Sequence, residues 1–168
     1  MKKTTRSRIY FLAQAGVIAA LYVILTHLSN LMGLASGVIQ VRISEALCIL
    51  TVFTPAAIPG MTIGCFLANL SMGNPWMDIL LGTLASFLGA LLGWALRRIS
   101  VWLVAIPTVV ANAAIVPFVL RYAYLFEDAW WYMVVTVGAG EIIAAYILGM
   151  ILYFALRKRG DRIFRKDL

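Results

Sequence analysis

Residues 77–98 read MDILLGTLASFLGALLGWALRR. A single acidic residue opens this run, and two arginines close it. Between them lie eighteen residues without a charge. At about 1.5 Å of rise per residue, a helix over 77–97 approaches the ~30 Å thickness of a bilayer's hydrocarbon core. The run is therefore a membrane-spanning helix.

The same reading extends in both directions. Apolar runs fill the chain near 9–28, 38–54, 56–71, 77–97, 101–125 and 130–156, which predicts a single domain over 1–168 built as a six-transmembrane-helix bundle. Composition agrees. Hydrophobic residues make up 63% of the 168 residues and charged ones only 12%, with a mean hydropathy of +0.95. A soluble domain sits nearer half apolar and a quarter charged. The chain is an all-α integral membrane protein. Its first run is too long for the apolar core of a signal peptide and lacks a small-residue cleavage site, so it counts as a span.

The net charge of +7 gains its meaning from position. Twelve of the fourteen lysines and arginines fall in three hydrophilic segments: before the first run, at Arg97–Arg98, and after Leu156. Such segments flank apolar spans as the positive-inside rule requires. That pattern places both termini and Arg97–Arg98 in the cytoplasm, with Glu127–Asp128 outside, and it argues against nucleic acid as a partner. Trp130, Trp131 and Tyr132 then form an outer interfacial belt.

Several chemistries are excluded by what is missing. No GxxxxGK[ST] occurs, so the chain carries no P-loop for ATP. His27 is the only histidine, and Cys48 and Cys65 lack metal-ligand spacing, which leaves no metal site and no nucleophile–base set. The chain reads as no enzyme and carries no cofactor of its own.

Polar residues inside the spans remain. Arg42 and Glu45 lie three apart in the second run, with the choice between mutual neutralisation and a ligand role left open. Asn69, Asp78, Asn112 and Glu141 follow in later runs, and all fall in the outer half of the bundle. A charge at membrane depth costs several kcal/mol unless it is paired or hydrated, so each is a candidate for function. Asp78 also suits a solvated helix start, and Asn112 a bond between helices. Trp76 sits beside the same outer mouth. Small residues form a second pattern: Ala15 and Ala19 on helix one, beside Gly16 and Ala20, and Ala85, Gly89 and Gly93 on helix four. Such stripes allow close helix contact. The helix-four stripe suits internal packing. The Ala15–Ala19 step lies in the inner half, where it is read as a seat for a partner protein.

Taken in order, VRISEAL at 41–47, GCFLANL at 64–70, DILLGTLAS at 78–86, PTVVANAAIVPF at 107–118 and VGAGEIIAAYILG at 137–149 resemble the queuosine-precursor transporter (QueT) family. Its members are substrate-binding S-components of energy-coupling factor (ECF) transporters. The resemblance implies an S-component fold with cytoplasmic termini in the cell membrane and an outward-facing site for a queuosine-precursor deazaguanine. It also implies docking through Ala15 and Ala19 on a transmembrane coupling subunit, with ATP used by two partner ATPase subunits. Loops after helices one, three and five, the first containing Gly33 and Gly37, are expected to close over the ligand. Glu45 and Glu141 are the expected carboxylate partners of a guanine-like edge, and a second carboxylate would suit an aminomethyl substituent. Asn112 and Asn69 are the amide partners, Arg42 orients Glu45 or meets a carbonyl, and Trp76 or Trp131 stacks on the ring. The alternative is a stand-alone proton-coupled carrier of a small polar metabolite using Glu45 and Glu141.

Overall fold

The structure, a computed structural model, describes residues 2–34 and 39–164. Gly37 and the basic residues Arg165 and Lys166 lie outside the described residues. Among the described residues every regular element is helical. Helix one is Lys2–Leu31, helix two Ile43–Val52, helix three Ala57–Ser71 and helix four Trp76–Leu96. Helix five, Ile106–Tyr122, follows a short 3₁₀ turn at Val101–Leu103, and helix six runs Trp130–Leu156. A last short helix covers Gly160–Ile163. The six-helix count read from the hydropathy runs is borne out.

The direction of each helix follows from what it touches. Gly60 packs on Ala15 and Ile18, Gly64 on Ala19 and Tyr22, and Ser71 meets His27 at 2.9 Å. Helices one and three therefore run side by side in the same direction, with helix two returning between them. Gly89 lies against Thr108 and Gly93 against the Val104 carbonyl, so helices four and five are antiparallel. Helix six descends beside helix two, with Gly140 on the Gln40 carbonyl and Gly149 near Ala46 and Ile49.

Two ends result. At the basic end, Pro55 lines a shallow groove with Arg8 and Phe11, and Phe53 stacks on Phe164 with ring centroids 5.7 Å apart. Arg97 and Arg98 close helix four here. The other end gathers Asn69, Asn74, Asp78 and Tyr124 through hydrogen bonds.

The outward faces are apolar. Leu12, Ile24, Val110, Val135 and Ile151 are each at least 60% exposed, a surface that water would penalise and lipid would not. Four helices are long and apolar enough to cross a membrane. With this surface and these spans the chain is a multi-pass membrane protein.

Helix two departs from its expected form. The run 38–54 is not an α-helix: its regular part is a 3₁₀ helix of ten residues, preceded by extended backbone at Arg42. At about 2.0 Å of rise per residue, that coil covers roughly 20 Å. Ser44 to Thr51 are all buried, so only the ends of helix two are open to its surroundings. The narrow coil fits between helices one, four and six. Opposite it, helix six widens into a π-helical stretch at Ile142–Leu148, immediately after Glu141. Runs of either kind this long are uncommon, and π stretches favour functional sites.

Candidate functional site

At the polar end a cavity of about 310 Å³ opens between helices one, four and five and the segment before helix two. That is within the usual range for a small-molecule site. Arg42, Asp78, Asn74 and Thr26 supply its polar wall, and Tyr124 and Phe126 its aromatic one.

Asp78 organises this wall. It is 2% exposed, and its Oδ2 accepts from Asn74 at 3.0 Å and from the Tyr124 hydroxyl at 2.8 Å, with the Arg42 guanidinium 3.6 Å away. Partial burial, with the neighbouring Asp78 carboxylate adding to it, pushes the Tyr124 phenol above its ordinary range, so it remains a donor. The expectation of a solvated helix start at Asp78 is thus corrected. So is the pairing of Arg42, whose partner is Asp78 rather than Glu45. Arg42 precedes the helix, and its extended backbone carries it towards helix four. Asn69 is buried behind this pair, accepting from Asn74 at 3.1 Å and reaching the Asp78 carbonyl at 3.4 Å.

One turn deeper is a second polar layer. Glu45 comes from the first turn of helix two, and its Oε1 accepts from the Tyr22 hydroxyl and from Ser86 at 3.3 Å. Above it Thr26 bonds to Ser44 at 2.8 Å. Glu141 enters from helix six at the level of Gln40, and Asn112 from helix five, one turn below the cavity residue Val116. Glu141 faces Asn112 and lies in the electrostatic field of Glu45 and Arg42. All three residues are at least 94% buried, yet among the described residues Glu45 Oε2, Glu141 Oε2 and Asn112 Nδ2 have no hydrogen-bond partner. A buried polar atom without a partner costs about 1–3 kcal/mol; Thr108 Oγ1 and Trp94 Nε1, towards the basic end, are unpartnered as well, and the three on Glu45, Glu141 and Asn112 are the ones nearest the cavity, where a ligand can meet them.

Other expectations change. Trp76 is 70% exposed and Trp131 69%, both on the outer surface, so neither can stack on a molecule inside. Trp76→Ala should therefore leave ligand affinity within about twofold, the usual scale for surface substitutions; titration of the variant measures it, and a tenfold loss would return Trp76 to the site. Ala15 and Ala19 turn inward. They are 6% and 7% exposed and pack on Gly60 and Gly64, so no partner can seat on them. The exposed small step is Gly16–Ala20, on the adjacent face. The helix-four stripe packs internally, against Thr108 and Val104.

Tyr22, Ser86 and Tyr124 were not read as site residues. Tyr22 did carry a signal, because a tyrosine in the middle of a span must find a partner for its hydroxyl. Among the described residues no group of His, Cys, Asp and Glu is placed to hold a metal.

The family model of the QueT transporter matches residues 12–158. A queuosine precursor transporter QueT from Lactococcus lactis subsp. cremoris (strain MG1363) is 35% identical over 88 residues, covering 52% of this chain and 52% of that protein. No solved structure matches.

Proposed function

The chain belongs to the QueT transporter family, and from that premise we propose that it imports a queuosine-precursor deazaguanine as the substrate-binding S-component of an ECF-type transporter. The observation that carries this reading is the set of three buried atoms on Glu45, Glu141 and Asn112, unpartnered among the described residues, beneath an open cavity. A deazaguanine presents two adjacent N–H donors beside a carbonyl. Glu141 can accept both donors side by side, and the Asn112 amide can donate to the carbonyl. Asp78 and Arg42, satisfied by each other, form the polar entrance. Tyr124 and Phe126 take the stacking role expected of Trp76.

In this reading the cavity end faces outward and the basic end faces the cytoplasm, with both termini there, in keeping with the positive-inside rule. A cysteine at Arg98 should stay unlabelled by an impermeant reagent in intact cells, whereas one at Glu127 should react. Labelling at Arg98 would invert the arrangement.

Energy comes from partners, namely a transmembrane coupling subunit and two ATPase subunits. Gly16 and Ala20 offer the coupling subunit an open face, with nothing within 4 Å of a Cβ added at Gly16. Gly16→Leu should therefore impair co-purification with the coupling subunit while ligand binding by the isolated chain survives. Ala19→Leu should instead destabilise the bundle, because it collides with Gly64. Unimpaired assembly of Gly16→Leu would move the docking face elsewhere.

Native mass spectrometry of the purified chain tests the function directly, since a co-purified deazaguanine is expected. The buried carboxylates Glu45 and Glu141 also favour a second reading, a proton-coupled carrier. Proton-driven uptake by the chain alone in proteoliposomes would favour it, and ATPase-dependent uptake would dismiss it.

A further inference from the structure

Towards the basic end, helix six carries an open stripe. Ile147, Ile151 and Phe154 recur at helical spacing, and all three are exposed. The stripe ends at Arg157, the cap residue of the helix, whose guanidinium lies 5.0 Å from the Phe154 ring. Trp102, exposed on the 3₁₀ turn before helix five, meets the same ring edge-on, with centroids 6.1 Å apart. That turn follows closely on Arg97 and Arg98. Among the described residues no carboxylate lies within ion-pair distance of Arg97, Arg98 or Arg157. From Ile147 to Arg157 the helix rises about 15 Å, half of the ~30 Å hydrocarbon core. The surface is therefore one leaflet long, apolar along its length and cationic at its end.

We propose that this surface binds an anionic phospholipid, with Arg157 on the headgroup phosphate, Trp102 at the level of the ester carbonyls, and the Ile147–Ile151–Phe154 stripe along an acyl chain. The stripe asks for a chain, and a water-soluble anion would leave it uncovered. Stacking on Phe154 holds the guanidinium by its flat face and leaves its N–H edge free for phosphate oxygens. An indole joins an apolar body to an N–H donor, which suits the membrane–water interface. Charge decides between lipids. A zwitterionic headgroup brings its own cation towards Arg157, whereas a net anion does not. Helix six packs on helices two and five, so the site is separate from the Gly16–Ala20 face of helix one.

Native mass spectrometry of the purified chain, titrated with dioleoyl phosphatidylglycerol or dioleoyl phosphatidylcholine, measures the affinity for the first bound lipid. Phosphatidylglycerol should bind about five- to tenfold more tightly, the scale expected of one interfacial cation. Arg157→Gln should remove most of that preference, and Trp102→Leu part of it. Arg8→Gln, which lowers the net charge equally from helix one, should leave it unchanged. The substituted residues are exposed, so the fold should persist, and thermal unfolding in phosphatidylcholine checks that. Glycerol 3-phosphate at millimolar concentration should not compete. Equal affinity for the two lipids, or an equal loss in Arg8→Gln and Arg157→Gln, would overturn the site in favour of overall charge. Competition by glycerol 3-phosphate would make this a site for free phosphate and overturn the lipid assignment. A preference unchanged in Arg157→Gln, with loss of co-purifying coupling subunit, would give the surface to a protein partner instead.

Discussion

Glu141→Gln should weaken deazaguanine binding by roughly ten- to a few-hundredfold, whatever substituent the ring carries. The estimate starts from the loss of a charge-assisted hydrogen bond, typically about 1.5–3 kcal/mol, with a two-point contact toward or above the upper end. At about 1.4 kcal/mol per decade, that gives the stated range. The bundle should persist, because the amide is nearly isosteric and easier to bury than a carboxylate. Isothermal titration on the detergent-purified variant reads the effect. Unchanged affinity would make Glu141 a structural residue and leave Glu45 as the principal carboxylate.

The second large effect concerns Gly140, one residue earlier. A Cβ built there would lie 2.0 Å from the carbonyl oxygen of Gln40. That atom belongs to backbone, and no rotamer change can relieve the clash. The segment concerned delivers Arg42 to Asp78 and lines the cavity. Overpacking costs about 1–3 kcal/mol, occasionally more, which for a chain of this size corresponds to roughly 2–12 °C in melting temperature. Gly140→Ala should therefore be less stable and also bind ligand poorly, because relief displaces Arg42. Gly138→Ala provides the control. Its added methyl would meet Ala113 at an ordinary 3.8 Å. Thermal unfolding and titration of the two variants, compared directly, check this. Equal behaviour of the pair would show that the contact with Gln40 is not a constraint on the site.

These residues illustrate how far a sequence reaches in a membrane protein. The class, the six runs and the gathering of the polar residues towards one end were legible, because hydropathy and charge vary along the chain and the bilayer imposes a fixed length on them. Glu45, Glu141 and Asn112 stood out for the same reason: a polar group at that depth has few innocuous uses. Among the described residues, the structure leaves each of them with an unpartnered atom.

Azimuth was not legible. In water, a helix marks its buried face with apolar residues, but lipid is as apolar as the protein core, so the marking is lost. Ala15–Ala19 and Gly16–Ala20 are equivalent steps by sequence, yet helix three covers the first and leaves the second open. Trp76 neighbours the site along the chain but points away from it. Arg42 and Glu45 are three residues apart, and only the extended backbone before helix two sends one to Asp78 and the other to Tyr22. The 3₁₀ coil of helix two depends equally on its neighbours, since helices one, four and six enclose it. By itself the sequence determined the apolar runs and which polar residues lie within them. Tertiary packing alone decided which of them face one another, because partner choice depends on rotation about each helix axis, and an all-apolar helix carries no one-dimensional record of that rotation.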